Sequence, residues 1–197
     1  MSSSGAEREA TGRGRLIVIS GPSGAGKTSI CRALLAQVPD TVWSVSVTTR
    51  APRKSDEPGT SYEFVSREAF ERLERDGAFL ESAEYVGNKY GTPRAPVEKS
   101  LREGKNVLLE VDVQGGVQIA RNMPESVRIF VLPPNAASLR ARLEGRDGDA
   151  KEQLSKRLAE SDGEIAAAHE SGCYQHFVVN DILDETIENV KRILADC

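Results

Sequence analysis

The chain predicts an α/β fold: an open parallel sheet with helices on both faces, interrupted once by a block of different character. Three observations lead there. Leu16–Ile19, Asn106–Val111 and Val127–Leu132 are apolar runs without alternation, as strands buried on both faces are. Segments with helical periodicity follow each run, the order expected of parallel strands joined by crossover helices. From about Ser46 to Pro93 that order lapses into short strands and turns.

The first strand leads into Gly21-Pro22-Ser23-Gly24-Ala25-Gly26-Lys27-Thr28, which fits G-x-x-x-x-G-K-[ST] at every fixed position. Ser29–Val38 behind it reads as an amphipathic helix. Strand, glycine loop and helix are the context the motif requires. Glycines let successive backbone N–H groups turn inward around an anion, and the helix N-terminus adds partial positive charge. Lys27 is then expected on the β- and γ-phosphates, and the Thr28 hydroxyl on Mg²⁺.

Pro39-Asp40 ends that helix, and Val42–Val47 alternates as one half-exposed strand. Arg50 and Arg53, three apart around Pro52, offer either bidentate donors to a phosphate or a solvated basic turn. Lys54–Ser61 reads as a loop, Tyr62–Val65 as a strand, and Ser66 caps a helix through Arg75. Phe79–Tyr85 is a further strand and Gly87–Thr92 a turn. Pro96–Glu103 is helical, closed by Gly104. Glu110 and Asp112 end the second buried strand, where an open parallel sheet faces its ligand crevice. Gln114–Asn122 is helical; Pro133-Pro134 stops the third strand, and Asn135 caps a helix over Ala136–Leu143. Arg142–Ala150 reads as a glycine-broken basic loop before a helix from about Ala150 to His169. Gln175–Asn180 and Leu183–Ala195 give the last strand and helix.

A length of 197 residues suits one compact domain. A net charge of −4 argues against a broad nucleic-acid footprint. Two histidines and three scattered cysteines give neither metal-ligand spacing nor a disulfide framework, and His169 and His176 read as structural. No apolar run reaches membrane-spanning length and no secretory signal is visible, so the cytoplasm is the expected compartment. Residues 1–14 lack apolar periodicity and are expected to form a disordered tail. A phosphate loop fits a kinase, an ATPase or a GTPase, but the late Asn/Thr-Lys-x-Asp base reader of GTPases is missing.

Together GPSGAGKT, SVSVTTRAPR, GTSYEFV, FLESAEYVGNKYGT, LEVDVQG, LPPN, RLEGR and FVVND resemble guanylate kinase, from about Arg15 to the C-terminus. The resemblance implies a P-loop NTPase-type core (15–45, 94–135, 169–197), an inserted GMP-binding lobe (46–93) and a helical lid (136–168). It implies Mg²⁺-dependent transfer from ATP to GMP, with dGMP as a further acceptor, by a monomer or homodimer that engages no nucleic acid or membrane. Gly21–Ser29, Arg142, Arg146 and Asn180 match the ATP side. Arg50, Arg53, Tyr62 and Tyr90 match residues on the GMP phosphate; Ser46, Glu81 and Thr92, with Glu84 beside them, match those that read guanine. Asp112 falls on the GMP side, and it and Glu110 reach the metal through water. Lys27, Arg50, Arg142, Arg146 and Arg157 are the implied catalytic cations. Glu110 stands where the family commonly has aspartate, Ile182 where it has an acidic residue, and the lid loop reads GRDGDA. Two rivals share the scaffold: a ribose bisphosphate phosphokinase, which needs no guanine-reading carboxylate, and a non-catalytic phosphopeptide-binding module, in which the phosphate loop is usually damaged.

Overall fold

The computed structural model describes residues 12–52, 62–85, 87–147 and 151–196. Strand β1 (Leu16–Ser20) lies at the centre of a five-stranded sheet in the order β2-β7-β1-β8-β9. Its partners are β2 (Thr41–Trp43), β7 (Asn106–Glu110), β8 (Val127–Leu132) and β9 (His176–Val179), and every pairing is parallel. The residues of β1 divide between two cores. Ile17 and Ile19 pack with Ile30, Cys31 and Leu34 of α1 (Lys27–Gln37) and with Val190 and Leu194 of α7 (Leu183–Asp196). Leu16 and Val18 pack with Val97 and Leu101 of α3 (Arg94–Arg102) and Ile119 of α4 (Val113–Asn122). Two buried faces are why the strand shows no alternation. Burial also pushes the Cys31 thiol far up, leaving it a small hydrophobe.

A second, four-stranded sheet runs β4-β3-β6-β5, built from β3 (Ser46–Thr48), β4 (Tyr62–Phe64), β5 (Phe79–Tyr85) and β6 (Asn88–Pro93). Helix α2 (Arg67–Arg75) covers it, capped by the Ser66 side chain, which accepts from the Ala69 N–H. The hairpin α5 (Ala136–Asp147) and α6 (Lys151–Ser171) has a core of its own in Leu139, Leu143 and Leu154.

Three sequence expectations need correction. Val42–Val47 is two strands rather than one: the chain leaves the large sheet after Trp43 and enters the small one at Ser46. Alternation is satisfied on either side of that handover, so nothing local marks it. Gly87–Thr92 is largely strand, with β6 antiparallel to β5. Gly91 suggested a turn, but it serves packing: a Cβ there would come within 2.9 Å of Phe79 and 3.1 Å of Phe70, whose rings stack at 4.6 Å. Arg142–Asp147 is helix, so Gly145 does not break it. Of the expected tail, residues 1–11 lie outside the described residues, and Gly14 is tied down, its N–H donating to Leu101 O at 2.8 Å.

Candidate active site

The glycine loop follows the central strand, at the point where the chain's connections diverge to the two sides of β1. Gly24 (φ +83°) and Gly26 (φ +93°) take left-handed backbone that a side chain would strain. Gly26 is also the N-cap of α1 and brings no side-chain cap, which leaves the first-turn N–H groups available to an anion. Lys27 Nζ donates to Gly21 O (2.7 Å) and Pro22 O (3.1 Å), crossing its own loop. Ala25 is buried behind it, and its carbonyl accepts from Asn180 Nδ2 at 2.7 Å. Register places Glu110 beside Ile19. Thr28 Oγ1 donates to the Glu110 carboxylate, 3.1 Å from both oxygens.

A cleft of about 500 Å³ opens over this loop, with Ser23, Gly24, Lys27, Thr28 and Ser29 on one wall. Ser46 and Tyr62, paired across β3 and β4, stand on the other wall, and Leu109–Asp112 lie between the two. Asp112 caps α4, its Oδ1 accepting from the Gly115 N–H at 2.8 Å. The Arg50 guanidinium lies 5.2 Å from the Tyr62 ring centre and 5.3 Å from that of Phe64. Tyr90 meets Tyr62 edge-on at 6.1 Å.

Glu81 is only 6% exposed, and Thr92 Oγ1 donates to its Oε1 at 2.6 Å. Burial pushes its pKa up to about 7; the Thr92 bond opposes this and the charge of Asp112 adds to it. A buried carboxylate held by one hydroxyl keeps acceptor capacity for a ligand that presents N–H donors. Glu84 does not join it. Strand alternation turns it to the opposite face, where it is half exposed and pairs with Arg67 at 3.3 Å.

The model of the guanylate kinase family matches residues 13–197. The chain belongs to that family. A guanylate kinase of Rubrobacter xylanophilus is 49% identical over 187 residues, spanning 93% of this chain and 96% of the relative. One from Thermus thermophilus is 47% identical over 183 residues, covering 93% of this chain and 81% of its own. Among solved structures, the guanylate kinase of Anaplasma phagocytophilum superposes with a TM-score of 0.75 at 34% identity, covering 95% of this chain and 87% of that one. Membership makes the chain an ATP:GMP phosphotransferase, on an α/β core with a central parallel sheet.

Arg142 of α5 reaches the loop side, where its Nη2 donates to Asn180 O at 2.9 Å. Both border a shallow cavity with Gly24, Gly26 and Ser29. Arg157 is half-buried on α6. Arg53 lies outside the described residues, as does the side chain of Arg146. His169 stacks on Phe177 at 4.2 Å, consistent with a structural histidine.

Sequence reasoning missed Glu164, which lines the cleft from α6. Burial raises its pKa, with Lys27 opposing and Asp112 and Glu160 adding. A signal was present: Ser161 and Ala168, three before and four after it, are buried, so a carboxylate stands on the buried stripe of a helix. Among the described residues no helix is long and apolar enough to cross a membrane.

Proposed function

We propose that this guanylate kinase family member transfers the γ-phosphoryl group of ATP directly to a phosphate oxygen of GMP. A bond forms from that oxygen to the γ-phosphorus as the bond to the β-phosphate oxygen breaks, giving GDP and ADP. The observation that carries the proposal is that the Lys27/Thr28 wall and the Ser46/Tyr62 wall border the same cleft.

In this reading the glycine-loop amides and Lys27 hold the ATP phosphates, and Arg50, Arg53, Tyr62 and Tyr90 hold the GMP phosphate. Guanine presents N1–H and N2–H₂ as donors, which the Glu81 carboxylate accepts; the Ser46 hydroxyl donates to O6, and Thr92 acts through its hydrogen bond to Glu81. Adenine has a lone pair at N1 and would leave Glu81 buried without a partner. The segment 46–93 acts as the GMP lobe. The segment 136–168 acts as a lid whose Arg142, Arg146 and Arg157 close on the transferring group and exclude water. No side chain attacks the phosphorus, so the rate comes from alignment and from neutralising charge on the transferring group.

The site suits Mg²⁺. The Thr28 hydroxyl and the Glu110 carboxylate are hard oxygen donors set side by side. Among the described residues there is no cluster of three or more His, Cys, Asp or Glu that could hold a metal. The ion would therefore be shared with substrate phosphates, and Asp112 would reach it through water. When bound, it supplies charge neutralisation at the phosphate oxygens. The longer side chain of Glu110 still meets the threonine.

A coupled ADP-release assay with GMP, dGMP, AMP and UMP, with and without Mg²⁺, tests the proposal. Turnover with GMP, and kcat/KM for AMP lower by about 10⁴, is expected. Equal turnover of AMP, or none with GMP, would overturn it.

A further inference from the structure

The smaller sheet ends in β5, an edge strand whose outward N–H and C=O groups need partners. Helix α4 supplies them. Gln118 Oε1 accepts from the Ser82 N–H at 3.1 Å, while its Nε2 donates to Ser82 O at 2.9 Å. One side-chain amide thus pairs both polar groups of one residue, as a neighbouring strand would. Asn122 Nδ2 donates to Leu80 O at 2.6 Å.

The spacing explains why two amides suffice. Gln118 and Asn122 are one helical turn apart, about 6 Å along the axis, and Leu80 and Ser82 are about 6.8 Å apart along a strand. Alternate strand residues direct their backbone groups to the same edge, so the grips fall on either side of Glu81. Glu81 itself pairs with Thr92 of β6. The same helix meets the Glu81 side chain, because a Cβ on Gly115 would come within 3.1 Å of Glu81 Oε2. One rigid element of the large-sheet core therefore fixes the backbone before and after this carboxylate and limits where its oxygens go.

We infer that Gln118 and Asn122 are positioning residues for base selection, setting where the Glu81 carboxylate stands. The inference rests on the reading of Glu81 as the guanine acceptor. It assigns α4 a role in specificity exercised through the β5 backbone, to which Gln118 commits both ends of its amide and Asn122 its NH₂ group.

The test compares GMP with inosine monophosphate, which keeps N1–H and lacks the 2-amino group, in Gln118→Leu and Asn122→Leu. Each variant is expected to raise the KM for GMP about tenfold and to lower the GMP-over-IMP preference in kcat/KM by about the same factor. The KM for ATP and kcat at saturating substrate should stay within about twofold of the parent. An unchanged preference overturns the inference. So does a parallel loss in ATP KM and kcat accompanied by a lower melting temperature, the pattern of a purely structural amide. Gln118→Glu keeps an acceptor for Ser82 N–H but sets its second carboxylate oxygen against Ser82 O, acceptor against acceptor. It serves if the leucine variants do not fold, and a loss of preference is expected from it; no loss overturns the inference. Glu81→Gln, run in parallel, separates the two ideas. If it leaves the GMP-over-IMP preference intact, the reading of Glu81 fails. If it abolishes the preference while the amide variants keep it, only the role of α4 fails.

Discussion

The two walls of the cleft are made of different material. The glycine-loop wall is largely backbone, a run of consecutive residues whose N–H groups are freed by left-handed glycines and an uncapped helix start. The opposite wall is side chain, drawn from Ser46 of β3, Tyr62 of β4 and Tyr85 of β5. Backbone amides are the same in every sequence and suit a phosphate, which every nucleotide carries. Telling one purine from another takes an acceptor placed against particular donors, and that demands a side chain held in register by tertiary contacts. Behind that wall the small sheet buries a carboxyl, Glu81, whose pKa rises to about 7, with Asp112 as an unfavourable neighbour.

Three substitutions press on this contrast. Glu81→Gln should have the largest effect, lowering kcat/KM for GMP about 100-fold with little change in ATP affinity; equal losses for both substrates in steady-state kinetics would erase the distinction between the walls. It should also change stability. Folding raises this pKa from its ordinary 4.5, so the folded chain binds more protons than the unfolded chain between pH 4.5 and 7. Stability contributed by Glu81 therefore falls as pH rises through that window, by roughly 3 kcal/mol in full. Denaturant melts of Glu81→Gln from pH 5 to 8 should lack that decline.

Gly26→Ala tests the backbone wall. It forces a side chain into left-handed backbone and overlaps Asn180 Nδ2, which anchors Ala25. The KM for ATP should rise about 30-fold while the GMP-over-AMP preference holds. A lost preference would show that the loop also shapes the base site. Glu84→Ala should do least. Its pair with Arg67 is exposed, so GMP kinetics should stay within about twofold, and a larger change would return Glu84 to the base-reading set.

Legibility followed the same division. The central strands, the loop and α1 could be read because their information is local: unbroken apolar runs, glycines at fixed spacing and a helical period. The small sheet could be read only in part. Gly91 and Asn88 look like turn residues, yet they lie in β6, because the Phe70–Phe79 stack requires a strand without a side chain at Gly91. Glu81 and Glu84 are equivalent as letters. Strand alternation separates them, and only the packing of β5 against α4 says which faces inward. Gln118 and Asn122 carried no signal, since surface amides on a helix are ordinary. Glu164 was readable in principle, once the buried stripe of α6 was counted.

By itself, the sequence determined the parallel core, the phosphate loop with Lys27 and Thr28, and the family, because each depends on residues close together in the chain. Tertiary structure alone decided that Thr28 meets Glu110, that Glu81 is buried and Glu84 exposed, and that α4 completes the edge of β5. Those contacts join residues 36 to 82 positions apart. Their geometry depends on how two sheets and a helix settle against one another, which no local pattern encodes.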